Sequence, residues 1–140
     1  GHTIVPQLFD VLYEWEQKNF AILDVVTKGS NLFVEHFSAL RAEVPDPSDP
    51  YTQINTAFIS TMLGADVILL SGEAGSHCLA NTVRDLANEF THQNDSFIKK
   101  CVLLTDATSP VPGFEQYQTD FISEMTKRGM KTTTTVDYLA

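Results

Sequence analysis

Short apolar runs alternate along this chain with longer segments whose apolar residues recur at helical spacing. That alternation constrains the fold more than any other feature of the sequence. Residues 65–70, Cys101–Leu104 and 131–136 read as strands, and residues 20–26 as a further buried one. Between them, Pro6–Asn19 carries Leu8, Val11, Leu12 and Trp15 on one helical face, with Pro6 suited to the first turn. Asp49 followed by Pro50 signals a helix start, and Ile54, Phe58 and Met62 continue its stripe to Gly64. Leu79, Val83, Leu86 and Phe90 mark another helix, and Tyr117, Phe121 and Met125 mark one over residues 114–128 that ends at Gly129. Strands separated by helices imply an α/β fold of three layers, a mostly parallel sheet with helices on both faces.

Residues 1–140 read as a single domain, with no internal repeat or low-complexity tract. The chain opens on a helix that no strand precedes, whereas a doubly wound sheet normally begins with one. The expectation is therefore a domain whose first strand is missing, with a segment upstream of Gly1 completing the sheet.

The net charge of −9 and the lack of a basic cluster argue against nucleic acid and anionic membranes as partners. Apolar runs such as residues 67–70 are far too short to span a bilayer. With only Cys78 and Cys101, a disulfide framework is not expected, and a reducing, cytoplasmic setting fits better.

In open α/β sheets, active sites lie beyond the carboxyl ends of the strands. Lys28, the turn at residues 72–78 and the loop at residues 106–113 all fall there. Gly72, Ala74, Gly75 and Ser76 permit a tight bend, and Cys78 follows near a helix start. Free N–H groups and the positive helix end favour a thiolate and can hold a developing oxyanion. A buried structural cysteine is the other reading. The glycines lack the G-x-G-x-x-G spacing and a G-K-[ST] ending, so nucleotide binding is disfavoured.

Lys28 closes an apolar run as a solvated cap or as a cation beside Cys78, where it would favour the charged thiol. His77 adjoins Cys78 and reads as a turn-lining or substrate-contacting residue. Phe33, Phe37 and Phe114 are either pocket walls or core. Asp24 alternates onto the face of Lys28, too far down the run for catalysis. His2, His36 and His92 show no metal-ligand spacing.

Three blocks together resemble the nicotinamidase/isochorismatase-like cysteine hydrolases. They are Val26-Thr27-Lys28-Gly29-Ser30-Asn31 with Glu35 and Ser38, the run from Asp66 through Gly72-Glu73-Ala74-Gly75-Ser76-His77-Cys78, and Leu104-Thr105-Asp106-Ala107-Thr108-Ser109-Pro110-Val111. The resemblance runs from about the first helix to the end of the chain. It implies an Asp–Lys–Cys triad in which Cys78 is the nucleophile and Lys28 stabilises its thiolate. It also implies a cis peptide between Glu73 and Ala74, aiming the N–H groups of Ala74 and Cys78 at the substrate oxygen.

The family's aspartate lies on the first strand, and nothing in this chain matches it. The metal ligands of family members also lie upstream, so no metal residue or cofactor is assigned here, although a divalent metal such as zinc is compatible with a complete protein. The implied activity is hydrolysis of a small amide, nicotinamide first, through a thioester, in a cytoplasmic homo-oligomer. A non-catalytic interaction module of the same fold is the alternative.

Overall fold

The computed structural model describes residues 4–90 and 96–140. Five helices and three strands alternate in chain order: α1 (Pro6–Asn19), α2 (Thr56–Gly64), β1 (Ile68–Leu70), α3 (Cys78–Glu89), β2 (Cys101–Leu104), α4 (Glu115–Arg128), β3 (Lys131–Thr133) and α5 (Thr135–Leu139). The strands form one parallel sheet in the order β1-β2-β3. Ile68 pairs with Cys101, and Val102 pairs with Lys131. Each parallel step requires a crossover, and α3 and α4 supply these two. The α/β class expected from the alternation is the class observed.

The periodic segments fold as their patterns require. Ala80, Val83, Leu86 and Ala87 bury one face of α3, and Phe121 and Met125 do so for α4. They close over Leu103 of the central strand, with Phe58, Ile59 and Met62 of α2 packed against the same core. Cys101, Val102 and Leu103 are all buried, as expected of a strand covered on both faces. Gly129 stops α4 in a left-handed conformation at φ 115°, the usual glycine terminator.

Three expectations are corrected. Residues 20–26 form no strand: they carry no regular structure, and Phe20 and Ile22 are 98% and 91% exposed. A strand exists only through a pairing partner, and among the described residues β1 pairs only with β2. The Asp49-Pro50 signal starts just a short 3-10 turn, Pro50–Thr52. Helix α2 begins later, where the Asn55 side chain accepts from the Phe58 N–H. The threonine run ends as a strand at Thr133, because Thr134 caps α5 by accepting from the Asp137 N–H and donating to its carboxylate at 2.6 Å. The first helix forms as expected, yet none of its residues is buried.

Candidate active site

The turn leaving β1 is held by the loop leaving β2. Gly72 N–H donates to the Ala107 carbonyl at 2.8 Å, and Gly75 N–H to the Ser109 carbonyl at 2.9 Å. The Thr108 hydroxyl donates to the Gly72 carbonyl at 2.7 Å, and the Val111 N–H to Ser76 Oγ at 2.9 Å. Gly72 sits at φ 110°, a conformation that side chains oppose. Gly75 is required for a different reason: a Cβ there would meet Gln118 Oε1 and, at 2.7 Å, Thr108 Oγ1.

The Glu73–Ala74 peptide is cis, at the position the sequence resemblance implies. The Ala74 carbonyl accepts from the N–H groups of His77 and Leu79 at 3.0 and 3.1 Å. The N–H groups of Ala74 and Cys78 have no acceptor among the described residues. Cys78 opens α3, so its thiol and two unclaimed donors share the positive end of that helix.

Lys28 reaches this point from a different part of the chain. Its Nζ donates to the His36 carbonyl at 2.8 Å and lies 3.6 Å from Cys78 Sγ. Gly29, at φ 72°, lets the chain turn after the lysine, and its N–H points to His36 Nδ1 at 3.4 Å. Thr82, one turn into α3, ties the parts together. Its hydroxyl donates to the Cys78 carbonyl at 2.7 Å and accepts from the Ala39 N–H at 2.9 Å. Burial, reinforced by the Lys28 ammonium, pulls His36 below the usual imidazole range, with Glu43 opposing.

Of the four candidate substrate contacts, the structure gathers three. The His77 ring lies 5.8 Å from Phe37 and 4.9 Å, edge-on, from Phe114. Phe33 is 92% exposed, in neither a core nor this cluster. Tyr117 joins instead, 6.0 Å from His77 and 5.3 Å from Phe114. The sequence did carry a signal for it, three residues after Phe114, but the same spacing reads as core. Ser76 and Thr82 gave no such signal: their roles depend on contacts 35 and 43 residues away. A cavity of about 440 Å³ is lined by Thr27 and His36, which adjoin Lys28, and by residues such as Tyr51 and Asn55, though by neither Cys78 nor Lys28 itself.

No described residue supplies a free carboxylate to this pair. Glu73 accepts from the Ser109 hydroxyl through both of its oxygens. Asp106 accepts the Thr135 hydroxyl and N–H at 2.6 and 2.8 Å, bonds that hold its carboxyl below the usual range. Asp24 is exposed and lies outside any strand, and no ion pair to Lys28 forms among the described residues. Nor do any three His, Cys, Asp or Glu side chains among them gather to hold a metal, so the residues present do not fit such a site. His2 and His92 lie outside the described residues. None of the described helices is long and apolar enough to cross a membrane.

The fold has a counterpart among solved structures. The structure of the yeast nicotinamidase Pnc1p superposes with a TM-score of 0.59 at 15% sequence identity, covering 94% of this chain and 52% of that one. This likeness shows the fold alone, an α/β fold shared with that structure. The chain thus spans about half the length of the structure it matches. No family model matches the sequence, and no curated protein matches it.

Proposed function

We propose that this chain forms the nucleophile-bearing part of a cysteine hydrolase that cleaves the C–N bond of a small amide. The single observation that carries the reading is the convergence at Cys78. An ammonium lies 3.6 Å from its sulfur, and two N–H groups without acceptors flank it. In the reaction, the Cys78 thiolate attacks the amide carbon, and the oxygen gathers charge toward the N–H groups of Ala74 and Cys78. The C–N bond breaks as the nitrogen takes up the proton first removed from the thiol, ammonia leaves, and water hydrolyses the thioester to the acid. One oxyanion donor in such a site is worth about 3–4 kcal/mol.

The thiol proton needs a base. We assign it to a carboxylate on a further polypeptide segment, which also pairs with the open edge of β1. Supporting this, Glu73 and Asp106 are both engaged elsewhere, and β1 has one partner strand among the described residues. Nicotinamide is the first substrate to try, on the strength of the fold shared with Pnc1p. The expected setting is a cytoplasmic homo-oligomer that binds neither nucleic acid nor membrane.

The uncommitted thiol proton favours a second reading, a non-catalytic interaction module of the same fold. Incubation with nicotinamide, a hydroxylamine quench and mass spectrometry separate the two. A hydroxamate and released ammonia, both lost in Cys78→Ala, are expected of the hydrolase. Neither product, from folded protein in which Cys78 still alkylates, would establish the module.

A further inference from the structure

We infer that Ser76 fixes His77 in the tautomer protonated on Nε2, making that nitrogen a standing hydrogen-bond donor for a lone-pair acceptor on the substrate. The inference rests on the hydrolase reading and specifies what the same site selects.

Ser76 is 3% exposed. Its Oγ already accepts from the Val111 N–H at 2.9 Å and lies 2.8 Å from His77 Nδ1. A serine hydroxyl has one hydrogen to give, and leaving it buried without an acceptor is unfavourable. Among the described residues, His77 Nδ1 is the acceptor within reach. If Nδ1 carried the ring proton, it would donate to Oγ and the serine hydrogen would have nowhere to go. The arrangement that satisfies every group has Ser76 donating, Nδ1 as lone pair and the proton on Nε2.

That nitrogen has no hydrogen-bond partner among the described residues, and it is not one of the buried, unsatisfied atoms. Its ring is half-buried between Phe37, Phe114 and Tyr117. Phe37 directly follows His36, whose carbonyl holds Lys28 against Cys78. A fixed N–H donor at this aromatic cluster selects an aromatic ligand whose ring bears a lone pair. Rejecting an analogue that leaves such a donor unpaired is the more discriminating kind of recognition. Ser76 is thus a positioning residue acting through His77, and Val111 couples it to the loop after β2.

The test is a long-range ¹⁵N–¹H spectrum of the imidazoles, with His77 assigned by substitution. The expected parent spectrum shows a protonated Nε2 and a bare Nδ1 at neutral pH; a protonated Nδ1 overturns the inference without any variant. Ser76→Ala should give averaged tautomers and Ser76→Thr should restore the parent pattern, whereas an unchanged pattern in Ser76→Ala also overturns it. Nicotinamide, whose ring nitrogen accepts, should shift the Nε2 signal, while benzamide should not. Equal responses would refute the donor role. The spectrum reads the tautomer whether or not amide is hydrolysed, so failure of the hydrolase reading is seen separately as absent turnover. With turnover, Ser76→Ala should raise KM for nicotinamide about tenfold, change kcat less than threefold and leave benzamide unaffected.

Discussion

Replacing Gly75 with alanine adds one methyl group to the turn that carries Cys78, and the surroundings set the cost. The new Cβ would meet the end of the Gln118 side chain and lie 2.7 Å from Thr108 Oγ1. Gln118 can swing its amide aside, since the contact is made by the far end of a flexible chain. Thr108 cannot, because its hydroxyl is held at 2.7 Å by the Gly72 carbonyl. Overpacking of this kind costs about 1–3 kcal/mol. For 140 residues, an unfolding entropy of about 2.1 cal/mol/K per residue converts that to a Tm loss of about 3–10 °C.

Thermal denaturation of a double-mutant cycle tests the assignment to Thr108. Thr108→Ala alone should cost about 1 kcal/mol for the lost hydrogen bond, and combined with Gly75→Ala it should recover at least ~0.5 kcal/mol of the sum. Thr108→Val keeps a methyl where the hydroxyl stood and should recover nothing. A Gly75→Ala protein as stable as the parent would refute the packing argument. Strict additivity with Thr108→Ala would refute the choice of partner.

Further consequences can be measured independently. Lys28→Met should slow iodoacetamide alkylation of Cys78 about fivefold, the effect of roughly 1 kcal/mol for a unit charge at this range in water, and leave Cys101 unaffected. Burial pushes the Cys101 thiol up from its ordinary 9.0 to about 11. The unfolded chain then ionises first, and stability should fall as pH rises from about 9 to 11; chemical denaturation should show this extra slope reduced in Cys101→Ala. His36 is shifted the other way, downward by burial and then by Lys28. Below pH 6.5 the unfolded chain takes up a proton that the folded chain refuses, so stability should drop with acidification, less so in His36→Asn. Removing α1 should change Tm little, since the helix buries no residue; a loss above about 5 °C would show that it contributes to the core.

What could be read from the sequence follows where the information lies. Helices α3 and α4 were legible because their stripes, such as Val83, Leu86, Phe121 and Met125, face one core and repeat at helical spacing. Cys78 was legible because small residues cluster before a helix start. Residues 20–26 misled because apolar composition reports what a segment would bury, not whether a strand lies beside it. The threonines misled similarly. Residues 131–136 have high strand propensity, yet the Thr134–Asp137 pair is a local capping arrangement that outweighs it. Phe33 and Phe37 differ by four positions in sequence, and only the structure separates the solvent-facing ring from the one stacked near His77.

The same misreading points to how the molecule is organised. Helix α1 has the apolar stripe of a packed helix, yet Leu8, Phe9, Val11 and Trp15 are all exposed, and Phe20, Ile22 and Val25 continue that surface. An isolated helix of 14 residues is marginal in water, and most helical stability comes from packing the apolar face. On β1, Ile68 and Leu70 point into the core while Leu69, and Val67 just before the strand, are exposed beside an edge that has no partner strand among the described residues. Exposed strand edges and contiguous apolar surface are both unfavourable unless something covers them. The proposed Cys78–Lys28 pair has the matching chemical need, a carboxylate that neither Glu73 nor Asp106 is free to provide. One added strand bearing an acidic residue would meet both needs at once, which is why the proposed single segment, whatever polypeptide supplies it, accounts for the surface and the site better than two separate partners would.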